Sequence, residues 1–272
     1  MTSREEVQRI FQSADLVHAD EIPVKGTTSE DIDLEHFRSF FEKQYGEHLD
    51  DILEKSGISL GKLLNNLGLA REATLNLAGF MIFGHLPQRY LPAFLVKAVS
   101  FVGNDSSGDK YRDSQDFEGC LRDLYRGTIS FISRNLRRLQ DEKGFNTEGV
   151  LEVPLAAMEE LVVNMLLHRD YFISAPCRVF LFDNRIDLIS PGALPNNLTV
   201  ENIRNGVSVI RNPLMASFAT KGNELPYRGI GTGIRRALAA VPALELESDS
   251  ERNLFTARIP RRWPRTQSTE GQ

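Results

Sequence analysis

Three polar side chains, Glu160, Asn164 and His168, recur at four-residue intervals through an otherwise apolar run, Leu161-Val162-Val163-Asn164-Met165-Leu166-Leu167. On a helix, at about 100° per residue, they form one stripe, each offset by about 40° from the last. Leu155, Met158, Val162, Met165 and Leu166 face the other way, while Ala157, Leu161 and Leu167 border the stripe. That border holds the polar groups partly out of water. Burying an amide and a carboxylate without partners costs roughly 2–7 kcal/mol or more. Something must therefore meet them, either donors from elsewhere in the protein or a ligand carrying a metal ion. Taken alone, Glu160 reads as a solvated helix charge and Asn164 as a satisfied core amide.

Composition narrows the field. The chain has 272 residues, 41% hydrophobic and 25% charged, which suits one large or two ordinary globular domains. A formal net charge of −5 gives no footprint of a general nucleic-acid-coating protein. No run approaches the ~18 apolar residues of a membrane span, and the first residues lack a signal-peptide core, so no membrane partner is expected. Two cysteines, Cys120 and Cys177, are too few for a disulfide scaffold or a zinc site, and a cytoplasmic, reducing location is expected. The five histidines show no metal-ligand spacing.

The elements that must position the stripe can be read in order. Ser3-Arg4-Glu5-Glu6 fits a capping box for a helix to about Ala14. Leu16 to Glu21 reads as a short strand, and Pro23 to Glu30 as a linker. Leu34, Phe37, Phe40 and Phe41 share one face of a helix ending near Gly46. Short helices are expected over Leu49–Lys55 and Ser59–Asn66, and another through Ala78 to Phe83 capped by Thr74. This succession fits a helical linker subdomain better than a winged helix, because it offers no basic recognition helix. Phe94 to Val102 reads as a strand, Asn104 to Arg112 as a loop, and Asp116 to Leu139 as one long amphipathic helix. Pro154 suits the first turn of the Glu160 helix. Strands are expected over Cys177–Phe182 and Arg185–Ile189, joined at Asp183-Asn184. Helices follow over Val200–Asn205, Pro213–Thr220 and Ile234–Ala240, then strands over Leu244–Glu247 and Leu254–Ile259. The tail after Trp263 is expected to fray. Helices alternating with antiparallel strands predict an α+β sandwich with helices on one sheet face.

Three stretches carry a resemblance. They are Glu160-Leu161-Val162-Val163-Asn164 with His168-Arg169-Asp170-Tyr171, Ser190-Pro191-Gly192-Ala193-Leu194-Pro195, and Arg211-Asn212-Pro213-Leu214 with Gly229-Ile230-Gly231-Thr232-Gly233-Ile234. Their order resembles the GHKL (Bergerat) fold, the histidine kinase-like ATPase domain of gyrase-type topoisomerases, heat-shock chaperones and mismatch-repair ATPases. More narrowly, it is similar to proteins labelled transcriptional regulators or RecG-helicase-related, which place a Schlafen-type AlbA domain ahead of a divergent GHKL domain. The resemblance implies four segments. Residues 1–30 would be a remnant or linker of the AlbA-like domain, which is otherwise missing, and 31–145 a mainly helical middle region. Residues 146–265 would be the GHKL-like ATP-binding domain and 266–272 a tail. A natural short form and a truncation product both fit.

The resemblance also implies roles. Glu160 would be the general base that orients water against the γ-phosphate, and Asn164 would bind Mg²⁺ through its side-chain oxygen. Those residue types suit the chemistry, a carboxylate accepting a proton and a neutral amide oxygen acting as a hard ligand. His168 would lie near the nucleotide or its lid. Gly192 would let the backbone pass close to adenine, and Gly229, Gly231, Thr232 and Gly233 would bring backbone N–H groups to phosphate. Arg211 and Lys221 are candidate phosphate contacts, with solvated surface charge the commoner role for each, and residues 205–228 are a candidate lid. The family's usual aspartate, two residues before the first glycine of the hairpin box, is replaced by Ser190, with Asp187 three residues earlier.

Two readings of function follow. One is an ATP-binding, slowly Mg-dependent ATPase used as a regulatory switch, with a homodimer and DNA (through a missing or separate domain) as partners. The other is a non-catalytic interaction or DNA-binding regulatory module with a degenerate nucleotide site. A histidine kinase fragment fits less well, since the sequence shows no phosphoacceptor helix.

Overall fold

The computed structural model describes residues 17–107, 110–139, 149–195, 198–222 and 224–261. The expected helix ending near Ala14 and the tail after Trp263 lie outside them. The described chain starts with a 3-10 turn, Ala19–Glu21, where a strand was expected. The turn follows from Asp20, whose buried carboxylate must reach back to cap a helix nearly 200 residues later, accepting from the Met215 N–H at 2.9 Å.

Helix α1 (Leu34–Tyr45) begins at Asp33, which accepts from the His36 N–H, and stops at left-handed Gly46. Helices α2 (Leu49–Ser56) and α3 (Leu60–Asn66) follow, the latter capped by Ser59. A two-residue hairpin, β1 (Ala70–Arg71) and β2 (Thr74–Leu75), turns through Glu72 and Ala73, both at positive φ. Thr74 is therefore paired in a strand, and Asn76 caps α4 (Leu77–Phe83) by accepting from Gly79 N–H at 2.8 Å. Thr74 was the wrong cap because the hairpin delays the helix by two residues.

Strands β3 (Val96–Phe101) and β4 (Tyr111–Phe117) precede α5 (Leu121–Asn135) and the small pair β5 (Arg138–Leu139) and β6 (Val150–Leu151). The single helix expected over Asp116–Leu139 is thus a strand, a helix and a strand. Gly119 has a φ of 106°, and a Cβ there would meet the Asp123 side chain at 2.7 Å, so the helix cannot start before Cys120. The polar sequence of β4 hid an edge strand, exposed on both faces along most of its length.

The remaining elements are α6 (Leu155–His168), β7 (Cys177–Leu181), β8 (Arg185–Pro191), α7 (Val200–Arg204), α8 (Pro213–Gly222), α9 (Gly233–Ala240), β9 (Glu245–Asp249) and β10 (Leu254–Pro260). The main sheet runs β4-β3-β7-β8-β10-β9. All neighbours are antiparallel except β3 and β7, whose connection carries α5 and α6 across one face. Two of its six strands come from chain ahead of residue 146. Cys177, Val179, Leu181, Ile186 and Leu188 alternate inward against α5 and α6. The helical region joins the same core: Phe40 of α1 meets Phe83 of α4 at 5.0 Å and Phe218 of α8 at 5.6 Å.

Candidate nucleotide cleft

Helix α6 buries Met158, Val162, Met165 and Leu166, leaving Glu160, Asn164 and His168 half-buried along one wall of an open cleft. Leu188, Phe255 and Ala257 of β8 and β10 form its apolar floor. The cleft holds about 1060 Å³ including its solvent-filled mouth, the scale of a small-molecule site. The glycine loop closes it opposite α6, with Gly229 and Gly231 both near a φ of 70°.

Gly233, first residue of α9, makes the closest approach. A Cβ there would stand 2.7 Å from Oε2 of Glu160 and 3.0 Å from Nδ2 of Asn164. Only glycine lets the helix start sit against these two groups. Asn164 donates its amide N–H to Glu160 O at 2.7 Å, which leaves the amide oxygen as the group able to accept or to ligate. Glu160 is engaged by Arg236, one turn into α9, through Nε at 2.8 Å and Nη2. The Arg236 Nη1 donates to Thr232 Oγ1 at 3.2 Å.

The other end is built differently. Ser190 lines the cleft and donates to Met165 O at 3.3 Å. Gly192 has a φ of 102°, and a Cβ would meet Arg211 Nη1 at 2.5 Å. Arg211 donates to His168 O at 3.2 Å and Ala193 O at 2.7 Å, while Asn212 donates to Leu167 O and Arg169 O at 2.9 and 3.0 Å. The Arg-Asn pair thus satisfies the last carbonyls of α6, with a cation at the negative end of the helix. Burial and the neighbouring Arg211 push His168 down to about 4, so its ring is neutral at pH 7. Tyr227 OH lies 3.4 Å from its Nε2.

The sequence-derived residues fall in three groups. Glu160, Asn164, His168, Ser190, Gly192, Arg211, Gly229, Gly231, Thr232 and Gly233 all line the cleft. Asp187 does not: it lies on the outer sheet face, between Arg185 Nε at 3.1 Å and Arg258 Nε at 2.9 Å. Lys221 is also elsewhere, its ammonium 5.3 Å from the Phe218 ring centroid. Arg236 and Tyr227 also line the cleft, outside every motif of the sequence. The signal for Arg236 was present, an arginine four residues after Thr232 on the same helix face. Among the described residues no group of three or more His, Cys, Asp or Glu could hold a metal ion. The Asn164 amide oxygen, beside a carboxylate, fits a Mg²⁺ that draws its other ligands from water and phosphate.

A family described as "Putative ATP-dependent DNA helicase recG C-terminal" matches residues 174–257. The match spans Ser190, Gly192, Arg211 and the glycine loop, and starts after the helix bearing Glu160 and Asn164. Among curated proteins none matches the chain. A crystal structure of the DIP2311 protein from Corynebacterium diphtheriae is similar in fold, with a TM-score of 0.66 and 19% identity. The similarity covers 93% of this chain and 50% of that one, so the chain spans about half that protein's length. The fold is α+β with an ATPase-like domain toward the C-terminus. No helix among the described residues is long and apolar enough to cross a membrane.

Proposed function

We propose, from the premise that residues 174–257 match the RecG C-terminal family, that the cleft binds ATP with Mg²⁺ and that the chain is a nucleotide-responsive regulatory module. One observation carries this reading. Glu160 and Asn164 meet the Gly233 helix start over a cleft whose lining holds three arginines (Arg211, Arg228 and Arg236) against one carboxylate. With His168 neutral, that balance favours an anionic ligand.

Each part has a task. The N–H groups at the start of α9 receive phosphate oxygens, helped by the helix dipole. The apolar floor of Leu188, Phe255 and Ala257 takes the face of the base, and the Ser190 hydroxyl at that end, its hydrogen given to Met165 O, can accept a hydrogen bond. Asn164 is the residue that would hold Mg²⁺, which when bound neutralises phosphate charge. Glu160 accepts the proton of a water whose oxygen bonds to the γ-phosphorus as the bridge to ADP breaks. Within residues 205–228, Arg211, Asn212 and α8 are anchored to α6 and the core, so the switch is closure of the flanking residues 205–210 and 226–228 over the nucleotide, in a transcriptional regulator or other DNA-associated protein, with a homodimer as the assembly it controls.

A second reading, binding without turnover, is favoured by one contact: Arg236 already occupies the carboxylate that would serve as base. Thermal unfolding with MgATP tests the shared claim. A ligand at 100 times Kd should add about 2.7 kcal/mol, and an unmoved transition at millimolar MgATP would sink both readings. Phosphate release then separates them.

A further inference from the structure

Arg236 belongs to no motif that pointed to the cleft, yet its guanidinium lies at the proposed phosphate end, against Glu160 and Thr232. Its Nε and Nη2 both reach Oε1 of Glu160, and its Nη1 reaches Thr232 Oγ1. That is a two-pronged approach to an oxyanion, which a phosphate oxygen can accept equally well. The Arg236 side chain is 36% exposed and that of Glu160 15%, so the arginine faces the open cleft while the carboxylate is largely buried, and only a stronger anion draws the arginine away. Thr232 and Gly233 begin the helix on which Arg236 sits one turn later, so an anion at that helix start lies within the sweep of the same side chain.

We propose that Arg236 is the polyphosphate-recognising side chain of the cleft and that Glu160 is its stand-in anion when the cleft holds none. Binding of a nucleoside triphosphate transfers Arg236 from the carboxylate to the phosphates and releases Glu160 to face water. The proposal rests on the nucleotide reading above and adds its regulation: the same arginine that senses the outer phosphates restrains the base until they arrive. A monocarboxylate carries one negative charge and a triphosphate three to four, so the exchange favours the ligand. A monophosphate, too short to reach α9, should leave the pair intact.

Calorimetric titration of the full chain with ATP and with AMP, in the presence of Mg²⁺, tests this on wild type, Arg236→Gln, Arg236→Lys and Glu160→Gln. Arg236→Gln should weaken ATP by roughly 10-fold or more while changing AMP less than about twofold, with partial recovery in Arg236→Lys. Glu160→Gln should tighten ATP several-fold, because no carboxylate then competes for the arginine. Equal weakening of ATP and AMP by Arg236→Gln, an unchanged ATP affinity, or a loss of ATP affinity in Glu160→Gln would each overturn the exchange while leaving the nucleotide site standing. Wild type binding neither nucleotide would overturn both. Ligand-free unfolding of each variant separates a folding defect from a binding one.

Discussion

Gly233 stands so close to Glu160 that a single added methyl carbon would lie 2.7 Å from the carboxylate oxygen. The neighbour at risk is the end of a side chain, but it is held by Arg236 and cannot withdraw without breaking that pair. Gly233→Ala should therefore displace Glu160 or tilt the start of α9. The expected outcome is a loss of MgATP affinity of at least roughly 10-fold with a stability loss of about 1–3 kcal/mol. Titration and urea unfolding on the same preparation would check both numbers. Unaltered affinity would mean that the helix start does not touch the ligand.

Two ionisable groups, buried Asp20 and half-buried His168, give stability opposite pH dependences. Burial raises Asp20 from 3.8 to about 6 in the folded chain. Its contribution is therefore present at pH below 3.8 and is lost as pH rises through 6, where a charge must be kept inside. His168, lowered from 6.5 to about 4, contributes stability that is intact above pH 6.5 and lost as pH falls through 4. Asp20→Asn keeps a capping oxygen for the Met215 N–H and removes the first effect. The variant should gain on the order of 1–2 kcal/mol at pH 7 relative to wild type, and its stability should fall more steeply on acidification. Denaturant midpoints at pH 4, 5, 6 and 7 would show it. Parallel curves would contradict the assignment to Asp20.

A buried ion pair ties the end of the described chain to its middle. Glu152 and Arg261 side chains are 0% and 2% exposed and meet at 2.5 Å, while Arg261 also donates to Phe182 O at 2.6 Å. Glu152→Ala leaves a guanidinium unpaired in the interior and should cost about 3–5 kcal/mol. The double variant Glu152→Ala with Arg261→Met should recover part of that. A double variant no more stable than Glu152→Ala would show that the arginine charge is not what costs stability.

How much was legible in the sequence depended on whether the signal was local. The polar stripe Glu160, Asn164, His168 was read from helical spacing alone and is half-buried as that spacing implied. Cys177–Leu181 and Arg185–Pro191 were legible because alternation and the Asp183-Asn184 turn agree. The polar strand Tyr111–Phe117 was not, since an edge strand with few buried residues carries no alternation to find. Nor was the reach of Asp20 to Met215, which depends on packing between segments far apart in the chain. For the cleft, residue types pointed to both walls, and strand alternation already set Asp187, three residues from Ser190, toward the other face, where it meets Arg258. Arg211 has a similar lesson: its type suggested phosphate, whereas its position places two of its nitrogens on carbonyls of His168 and Ala193.

Asn164 is the side chain on which the account depends most, because its amide oxygen is the proposed Mg²⁺ ligand and its amide nitrogen is spent on Glu160 O. The most direct measurement is calorimetric MgATP binding to wild type and to Asn164→Ala, repeated with ATP and EDTA. Wild-type binding should be measurable and should weaken by roughly 10- to 100-fold in Asn164→Ala or on metal removal, with little further loss when both are combined. Wild-type binding that is indifferent to both the amide and the metal would contradict the account.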